Sequence, residues 1–492
     1  MNKQISRVGF LIIFLSLVLI ISSSYWQFFQ VSVLQADARN TRQLYNEYDH
    51  KRGDILVDGK AIAYSEKTMD EFEYQRKYTD GELYSAVTGF YSISNKADRG
   101  LEAAQNSYLD GSADIFWLDK IINSFAGRNQ IGGSIETTIS SKLQKVAWDS
   151  LGNRKGAVLA MDPKTGAILA MVSKPAYNPN DLAIHNSAQA ANTYSKLARG
   201  LESPLINKTI SALYPPGSTF KVIDSAAAIS SGEYNKDTSI PSPQFYRLPG
   251  TITDLPNYNK EICSSSGNQS LLDALRISCN TAFAMLGVKL GQVNLASQAN
   301  SFGVGKEFIL ANAQNSLALE SSPSVFPKNL TDDKLALASI GQGDVKFTPL
   351  QDLLISAIVA NNGKLAYPYL VKDIKDPSGK IVKQFSSSQY SDQFNNPVIS
   401  YDVAQQLNIM MQSVVQRGGA FNAQIPGVIV AGKTGTAQTT EGAIPHAWFT
   451  GFAPADNPKI AVCVLVEDGE NDPTGASASA PVAKRVIQAA LQ

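Results

Sequence analysis

Ser218 and Lys221 stand three residues apart, directly after a Pro215-Pro216-Gly217 bend and at the head of an apolar, helix-favouring run. That context predicts that Ser218 opens a helix, which puts the serine and the lysine on one face. The chemistry open to such a pair is acyl transfer. A serine hydroxyl is a poor nucleophile until a base takes its proton, and a lysine serves as that base when burial lowers its pKa toward neutral. The helix start adds unpaired backbone N–H groups beside the hydroxyl, ready to hold a developing oxyanion. This is the one Ser-x-x-Lys in the chain, but about one or two are expected by chance at this length. A plain N-cap serine followed by a solvated lysine has the same spelling, so the pair needs company.

Two further clusters could supply it. Ser278-Cys279-Asn280 follows a stretch that Ser270 and Asp273 can cap as a helix and precedes a helical run at 281–290, so it falls at a helix junction. A hydroxyl and an amide two residues apart there can face one cleft, the serine relaying a proton and the amide holding a carbonyl. Ser266-Gly267-Asn268 has the same spacing but lies in a polar loop. Lys433-Thr434-Gly435-Thr436 continues the apolar strand Val428-Ile429-Val430-Ala431, with Gly432 and Gly435 baring the backbone beside the cation. The expected use is a substrate paired as an added strand, its carboxylate met by Lys433 and the two threonine hydroxyls. Lys164-Thr165-Gly166 repeats the tripeptide where turn chemistry explains it. An edge-strand lysine without a ligand is the plainer alternative for Lys433.

These clusters need a scaffold, and the pattern around them is strands, then helices, then strands. Val158-Leu159-Ala160-Met161, the turn Asp162-Pro163-Lys164-Thr165-Gly166 and the apolar run at 167–172 read as a hairpin. Residues 427–438, 446–454 and 459–467 predict three more strands, and 480–492 a closing helix. Helical segments at 270–277, 281–290 and 350–360 lie between. The expected fold class is α+β, an antiparallel sheet flanked by helices. Residues 30–133 are polar and aromatic, with no long periodic stretch and no catalytic pattern.

Residues 8–29 form an apolar stretch, preceded by Lys3 and Arg7 and ending in Tyr25, Trp26, Phe28 and Phe29. At about 1.5 Å per residue it spans the roughly 30 Å of bilayer hydrocarbon. The positive-inside rule puts residues 1–7 in the cytoplasm and everything after the helix outside. A cleaved signal peptide is the competing use, but Ala36-Asp37-Ala38, the candidate cleavage site, is far from the apolar core.

The 492 residues exceed the roughly 250–300 at which one core stops growing, so at least two folded units are expected. Hydrophobic residues at 44% and charged residues at 17% exclude a disordered chain. Lys+Arg and Asp+Glu both number 43, leaving no electrostatic footprint for nucleic acid. Three cysteines and three histidines supply neither a disulfide framework nor a metal set, so no metal and no cofactor are expected. An oxidising compartment would favour pairing Cys263 with Cys279, which the spacing leaves open. Cys463 sits in an apolar run at 460–466 and reads as a small buried hydrophobe.

Taken in order, Ser218-x-x-Lys221, Ser278-x-Asn280 and Lys433-Thr434-Gly435 resemble the motif set of the penicillin-recognising serine acyltransferases. The wider chain resembles a class B penicillin-binding protein, a monofunctional peptidoglycan D,D-transpeptidase. Arg52-Gly53-Asp54-Ile55 resembles the R-G-x-I element of that class's pedestal, and Gly100-Leu101-Glu102 with Leu109-Asp110-Gly111 its second pedestal motif. Residues 156–171 resemble the opening hairpin of the transpeptidase domain. Gly341-Gln342-Gly343 with Thr348-Pro349-Leu350-Gln351 resembles a family segment ahead of a packed helix, and 446–452 the strand after the K-T-G strand. His446 on that strand is given a structural part, because this chemistry uses lysine as its base.

The resemblance implies a cytoplasmic tail at 1–7, a transmembrane helix at 8–29, a small α+β pedestal at 30–133 and a transpeptidase domain with an all-helical subdomain at 134–492. It implies a single-pass protein of the bacterial cell membrane whose catalytic domain is extracytoplasmic. Ser218 would attack the penultimate D-Ala carbonyl of a stem peptide and be acylated by β-lactam antibiotics in the same way. Lys221 would be the base, Ser278 the proton relay and Asn280 a clamp. Lys433, Thr434, Gly435 and Thr436 would bind the substrate's terminal carboxylate and backbone, and the N–H groups of Ser218 and Thr436 would form the oxyanion hole. Residues 30–133 are too few for a glycan polymerase, so a separate SEDS-type polymerase partner is expected. The nearest rival is a hydrolase, a D,D-carboxypeptidase or β-lactamase, in which water resolves the acyl-enzyme. A non-catalytic scaffold is a further alternative.

Overall fold

The computed structural model describes residues 2–26, 50–127, 130–199, 203–389, 397–438, 444–468 and 474–492. Its central sheet has five strands in the order Ala431–Ala437, His446–Ala453, Ile460–Val466, Gly156–Met161 and Ile168–Lys174, every neighbouring pair antiparallel. The expected hairpin and the three C-terminal strands are all in it. Ser141–Leu151 and Ala480–Leu491 cover one face and Pro349–Ala360 the other. With both faces covered, these antiparallel strands are buried almost end to end, and so they spell apolar runs rather than an in–out alternation.

Pro349–Ala360 is buried all round, as a helix apolar on every face must be. Proline occupies its first turn, and the Thr348 side chain caps it by accepting from the Gln351 N–H at 3.2 Å. Lys221–Ser230, Leu271–Arg276, Asn280–Leu290, Gln292–Ser301 and Tyr401–Arg417 pack into an all-helical region beside the sheet. The Ser270 cap is present, its hydroxyl accepting from the Asp273 N–H at 3.0 Å. The fold class is α+β, as expected.

A second sheet crosses the middle of the chain. Its six strands run Ile381–Gln384, Val371–Lys375, Ser134–Thr137, Ile55–Val57, Lys60–Lys67 and Tyr74–Tyr78. Ser134–Thr137 pairs parallel to Ile55–Val57 and antiparallel to Val371–Lys375. Pedestal strands and strands from beyond residue 133 thus share one set of hydrogen bonds.

The pedestal's two motifs meet underneath this sheet. Arg52 Nε lies 2.7 Å from Glu102 Oε2, Arg76 Nε 2.6 Å from Glu102 Oε1, and the Tyr78 hydroxyl donates to Glu102 Oε1 at 3.1 Å. All four side chains are buried. Burial alone would raise the Glu102 pKa, but Arg76 and Arg52 outweigh it and hold the carboxyl below its ordinary range. Gly53 donates its N–H to Leu109 O at 2.8 Å, and a Cβ at Gly53 would fall 1.9 Å from the Gly133 carbonyl oxygen. The arginine pairs, the glycine admits a backbone and Ile55 enters the core.

The N-terminal helix runs Asn2–Ser24 with an apolar span at Lys3–Ser24, exposed throughout. It begins ahead of the expected start at Val8, because Lys3 and Arg7 sit on the helix rather than before it. Phe28, Phe29 and the Ala36-Asp37-Ala38 site lie outside the described residues.

Candidate active site

The Pro-Pro-Gly bend becomes a short 3-10 turn, Gly217–Thr219, which leads into the helix Lys221–Ser230. Gly217 has φ 56° and donates its N–H to the Gly341 carbonyl at 2.9 Å, so the Gly341-Gln342-Gly343 segment braces the turn from behind. From the other side the turn rests on strand Ala431–Ala437. A Cβ at Gly435 would lie 2.6 Å from the Pro216 oxygen, and one at Gly217 would lie 2.7 Å from the Thr436 oxygen. Only glycines allow this approach. Trp448 Nε1 donates to Pro215 O at 3.0 Å and fixes the bend. Ser218 is left half-exposed, while Lys221, on the next turn, is fully buried.

Lys221 Nζ donates to the Asn280 Oδ1 at 2.7 Å and to the Ser278 carbonyl at 2.8 Å, with Ser278 Oγ at 3.4 Å. Lys433 Nζ reaches the same hydroxyl from the opposite side, 2.9 Å from Ser278 Oγ, and also donates to the Thr434 carbonyl at 2.8 Å. Ser278 therefore bridges the two lysines. Its φ of 62° is in the left-handed region, unusual for a residue with a Cβ and costing about 1–3 kcal/mol. That turn aims both its carbonyl and its hydroxyl at Lys221. The Cys263–Cys279 disulfide, a pairing the spacing left open, tethers the next residue, and Cys463 is free and buried.

Burial pushes the Lys221 pKa well below its ordinary value, the neighbouring Lys433 charge adds to the fall, and Asp224 offsets only part of it. Burial likewise lowers Lys433 to about 7 against the opposing pull of Asp352. Asp352 sits in the otherwise apolar helix Pro349–Ala360, where burial raises it to about 7. Its Oδ2 is 3.5 Å from Cys463 Sγ, and its carbonyl accepts from the Thr450 hydroxyl at 2.7 Å. Thr450 is the residue paired across the sheet with Lys433, and Cys463 is paired with Thr450. Asp224 and Asp352 belong to no motif and are absent from the sequence-based site. The signal for each was a carboxylate inside an apolar run, three residues after Lys221 in one case and one after Gln351 in the other.

Ser278, Asn280, Lys221 and Lys433 thus form one hydrogen-bonded cluster, with Ser218 on the turn at its rim. Thr434, Gly435 and Thr436 lie on the terminal strand of the five-stranded sheet, which pairs with a strand on one side only. The two decoys stay away. Ser266 and Asn268 are exposed and bond within their own loop, and Lys164 Nζ donates to Asn457 Oδ1 at 2.8 Å on the surface. His446 is buried against Tyr214, with ring centroids 5.3 Å apart, and burial lowers its pKa despite Glu467 and Asp468. It is packing.

A turn-borne serine, a buried lysine one turn on, a bridging hydroxyl and a second buried lysine on the terminal strand define an acyl-transferring serine enzyme. The penicillin binding protein transpeptidase domain matches residues 156–488, and the penicillin binding protein A dimerisation domain matches residues 52–135. The chain belongs to the penicillin-binding protein transpeptidases, in the class B arrangement of pedestal and transpeptidase domain. It is 38% identical to the peptidoglycan D,D-transpeptidase PbpA of Mycolicibacterium smegmatis, over 100% of this chain and 99% of that protein. The structure of penicillin-binding protein A from M. tuberculosis as a ceftriaxone acyl-enzyme complex superposes with a TM-score of 0.84 at 37% identity, over 91% of this chain and 100% of that one. A D,D-transpeptidase domain structure from Eggerthella lenta matches with a TM-score of 0.76 at 32% identity, over 90% and 98%.

Proposed function

We propose that the chain is a peptidoglycan D,D-transpeptidase that cross-links stem peptides through a Ser218 acyl-enzyme and is acylated at the same serine by β-lactams. The observation that carries this is the hydrogen bonding of Lys221. A neutral amine has two N–H bonds and one lone pair, and Lys221 already gives its two short donations to Ser278 O and Asn280 Oδ1. The lone pair is then free to accept a proton, and Ser218 stands one turn before Lys221 in the chain. Ser218 Oγ attacks the penultimate D-Ala carbonyl while Lys221 takes its proton. The N–H groups of Ser218 and Thr436 hold the oxyanion, a device worth about 10²–10³ in rate per donor.

Collapse breaks the peptide bond. The proton on Lys221 passes through Ser278 Oγ to the departing D-Ala amine, and the acyl-enzyme remains. An amine of a neighbouring stem peptide then attacks that ester, returns a proton through the same groups and frees Ser218. Lys433, kept beside Ser278 Oγ, meets the terminal carboxylate with Thr434 and Thr436, while Gly435 lets the substrate strand lie against the edge.

The chain fits a single-pass membrane protein, with an apolar helix of sufficient length at its N-terminus. Lys3 and Arg7 ahead of the apolar core support a cytoplasmic N-terminus and an extracytoplasmic catalytic domain. We assign residues 30–133 to the pedestal and 134–492 to the transpeptidase domain, and expect a separate SEDS-type glycan polymerase to supply the strands that are cross-linked.

The test is intact mass of the purified full-length chain after a fluorescent penicillin. One adduct that persists for hours is expected in the wild type and none in Ser218→Ala. Labelling of the alanine variant removes Ser218 from its role, and rapid release of hydrolysed drug makes the enzyme a hydrolase.

A further inference from the structure

Between Gly111 and Gly132 the pedestal chain makes an excursion. Phe116, 3% exposed, anchors it inward with its ring against Tyr108. The helix Trp117–Phe125 that follows turns the other way. Trp117, Leu118, Ile121, Ile122 and Phe125 occupy one face at spacings of three, four and eight residues, and they are 60%, 52%, 45%, 52% and 90% exposed. Within the chain the helix packs on the turn Asp114–Phe116 before it. An amphipathic helix normally turns this stripe to the core. Here it points to the outside, and five contiguous large apolar side chains make a patch of the kind that marks an interaction surface.

What covers it follows from where it sits. The excursion closes at Gly132, whose N–H donates to Lys51 O at 3.0 Å, and Gly53 N donates to Leu109 O just before it. Lys51 to Gly53 is where the pedestal receives the chain coming from the apolar N-terminal helix, with residues 27–49 between. The excursion that carries the exposed face therefore begins and ends beside the point at which the pedestal is tethered. Its apolar side has the mix of an interfacial helix, with Trp and Phe beside Leu and Ile, while Asp119 and Lys120 balance in charge. Lys120 Nζ donates to the Ser112 carbonyl at the start of the excursion, which holds the cation off the apolar stripe.

We infer that the helix Trp117–Phe125 lays its Trp117, Leu118, Ile121, Ile122 and Phe125 face into the headgroup boundary of the bilayer that holds the N-terminal helix. This rests on the membrane assignment of that helix. With two points of attachment the pedestal has a fixed tilt, and the cleft at Ser218 keeps a set direction relative to the membrane.

The experiment uses the full-length chain in lipid nanodiscs with and without bromine on the acyl chains, comparing wild type, Trp117→Phe and Trp26→Phe. Bromine is expected to remove most of the emission assigned to Trp117 by difference, as it does that of Trp26 at the end of the anchor. Ile121→Glu with Ile122→Glu is expected to restore the Trp117 emission, while labelling by a fluorescent penicillin shows that the variant is folded. Loss of Trp26 emission with Trp117 unaffected overturns the inference and leaves the anchor standing. If neither is quenched, the anchor assignment falls and the inference with it. Shielding of Trp117 from acrylamide without quenching by bromine means a protein surface covers the helix, and that outcome also overturns the proposal.

Discussion

In the pedestal, Arg52 and Arg76 close on Glu102, and all three are buried as ions. In the catalytic cluster, Lys221 and Lys433 lie as deep, but among the described residues no carboxylate stands within ion-pair distance of either. The consequences are opposite. Pairing holds the Glu102 carboxyl below its ordinary pKa, so that it stays charged and fixed and acts as a lock. Burial without an ion-pair partner drives both lysines down, Lys433 to about 7, so that each holds its proton less tightly than an exposed lysine does. Burial thus yields a fixed ion in one place and readily deprotonated amines in the other, and the presence of an ion-pair partner decides which.

Removing the pedestal's partner should have the largest effect. Glu102→Gln leaves two arginines buried against a neutral amide, and unfolding is expected to become easier by about 3–5 kcal/mol. The depressed Glu102 pKa means its contribution is present above the carboxylate range and is lost as pH falls through it. Denaturant titrations should show wild-type stability dropping at low pH and a flatter profile in the variant. Equal midpoints at neutral pH would show that the cluster is not a lock.

Supplying the partner missing from the catalytic cluster is the converse change. Asn280→Asp puts a carboxylate where Oδ1 now stands 2.7 Å from Lys221 Nζ, which should raise the lysine by about one to three pH units. With Lys221 as the proposed base, acylation depends on the free amine and fails as pH falls through the Lys221 pKa. The variant's acidic limb should move upward, and the rate at a fixed pH on that limb should fall about tenfold for every pH unit the limb moves. A pH profile of penicillin acylation that does not move would remove Lys221 as the base.

The smallest effect sharpens the contrast at Lys433. Asp352 lies too far for an ion pair but still favours the Lys433 cation. Asp352→Asn should let Lys433 lose its proton earlier and bring the alkaline limb of the same profile down by about one pH unit or less. An unchanged alkaline limb would mean that Asp352 serves packing alone.

Much of the site was legible because its requirements are local. Ser218 and Lys433 each follow a glycine that sets the backbone, Gly217 and Gly432, and Ser278 falls at a junction between two helices. The hairpin at 156–174 and the strands at 431–466 announced themselves because strands covered on both faces must be apolar throughout. The carboxylates that act on the lysines from beyond ion-pair distance were less visible. Asp224 and Asp352 depend on packing between elements distant in sequence, and nothing in their spacing marks it. The second sheet was hidden for a related reason. Val371–Lys375 and Ser134–Thr137 are short, carry charges and make sense only as each other's neighbours.

That second sheet also bears on how the molecule can be taken apart. Its strands come from three stretches of chain, 55–78, 134–137 and 371–384, bound side by side. A graft that exchanges residues 52–133 for another pedestal must bring a strand edge that fits Ser134–Thr137, or carry the hairpin at 371–384 with it. A protease that nicks the chain near residue 130 leaves both fragments joined by the sheet. The two halves are spliced rather than hinged, and a pull on the pedestal reaches the catalytic half through backbone hydrogen bonds.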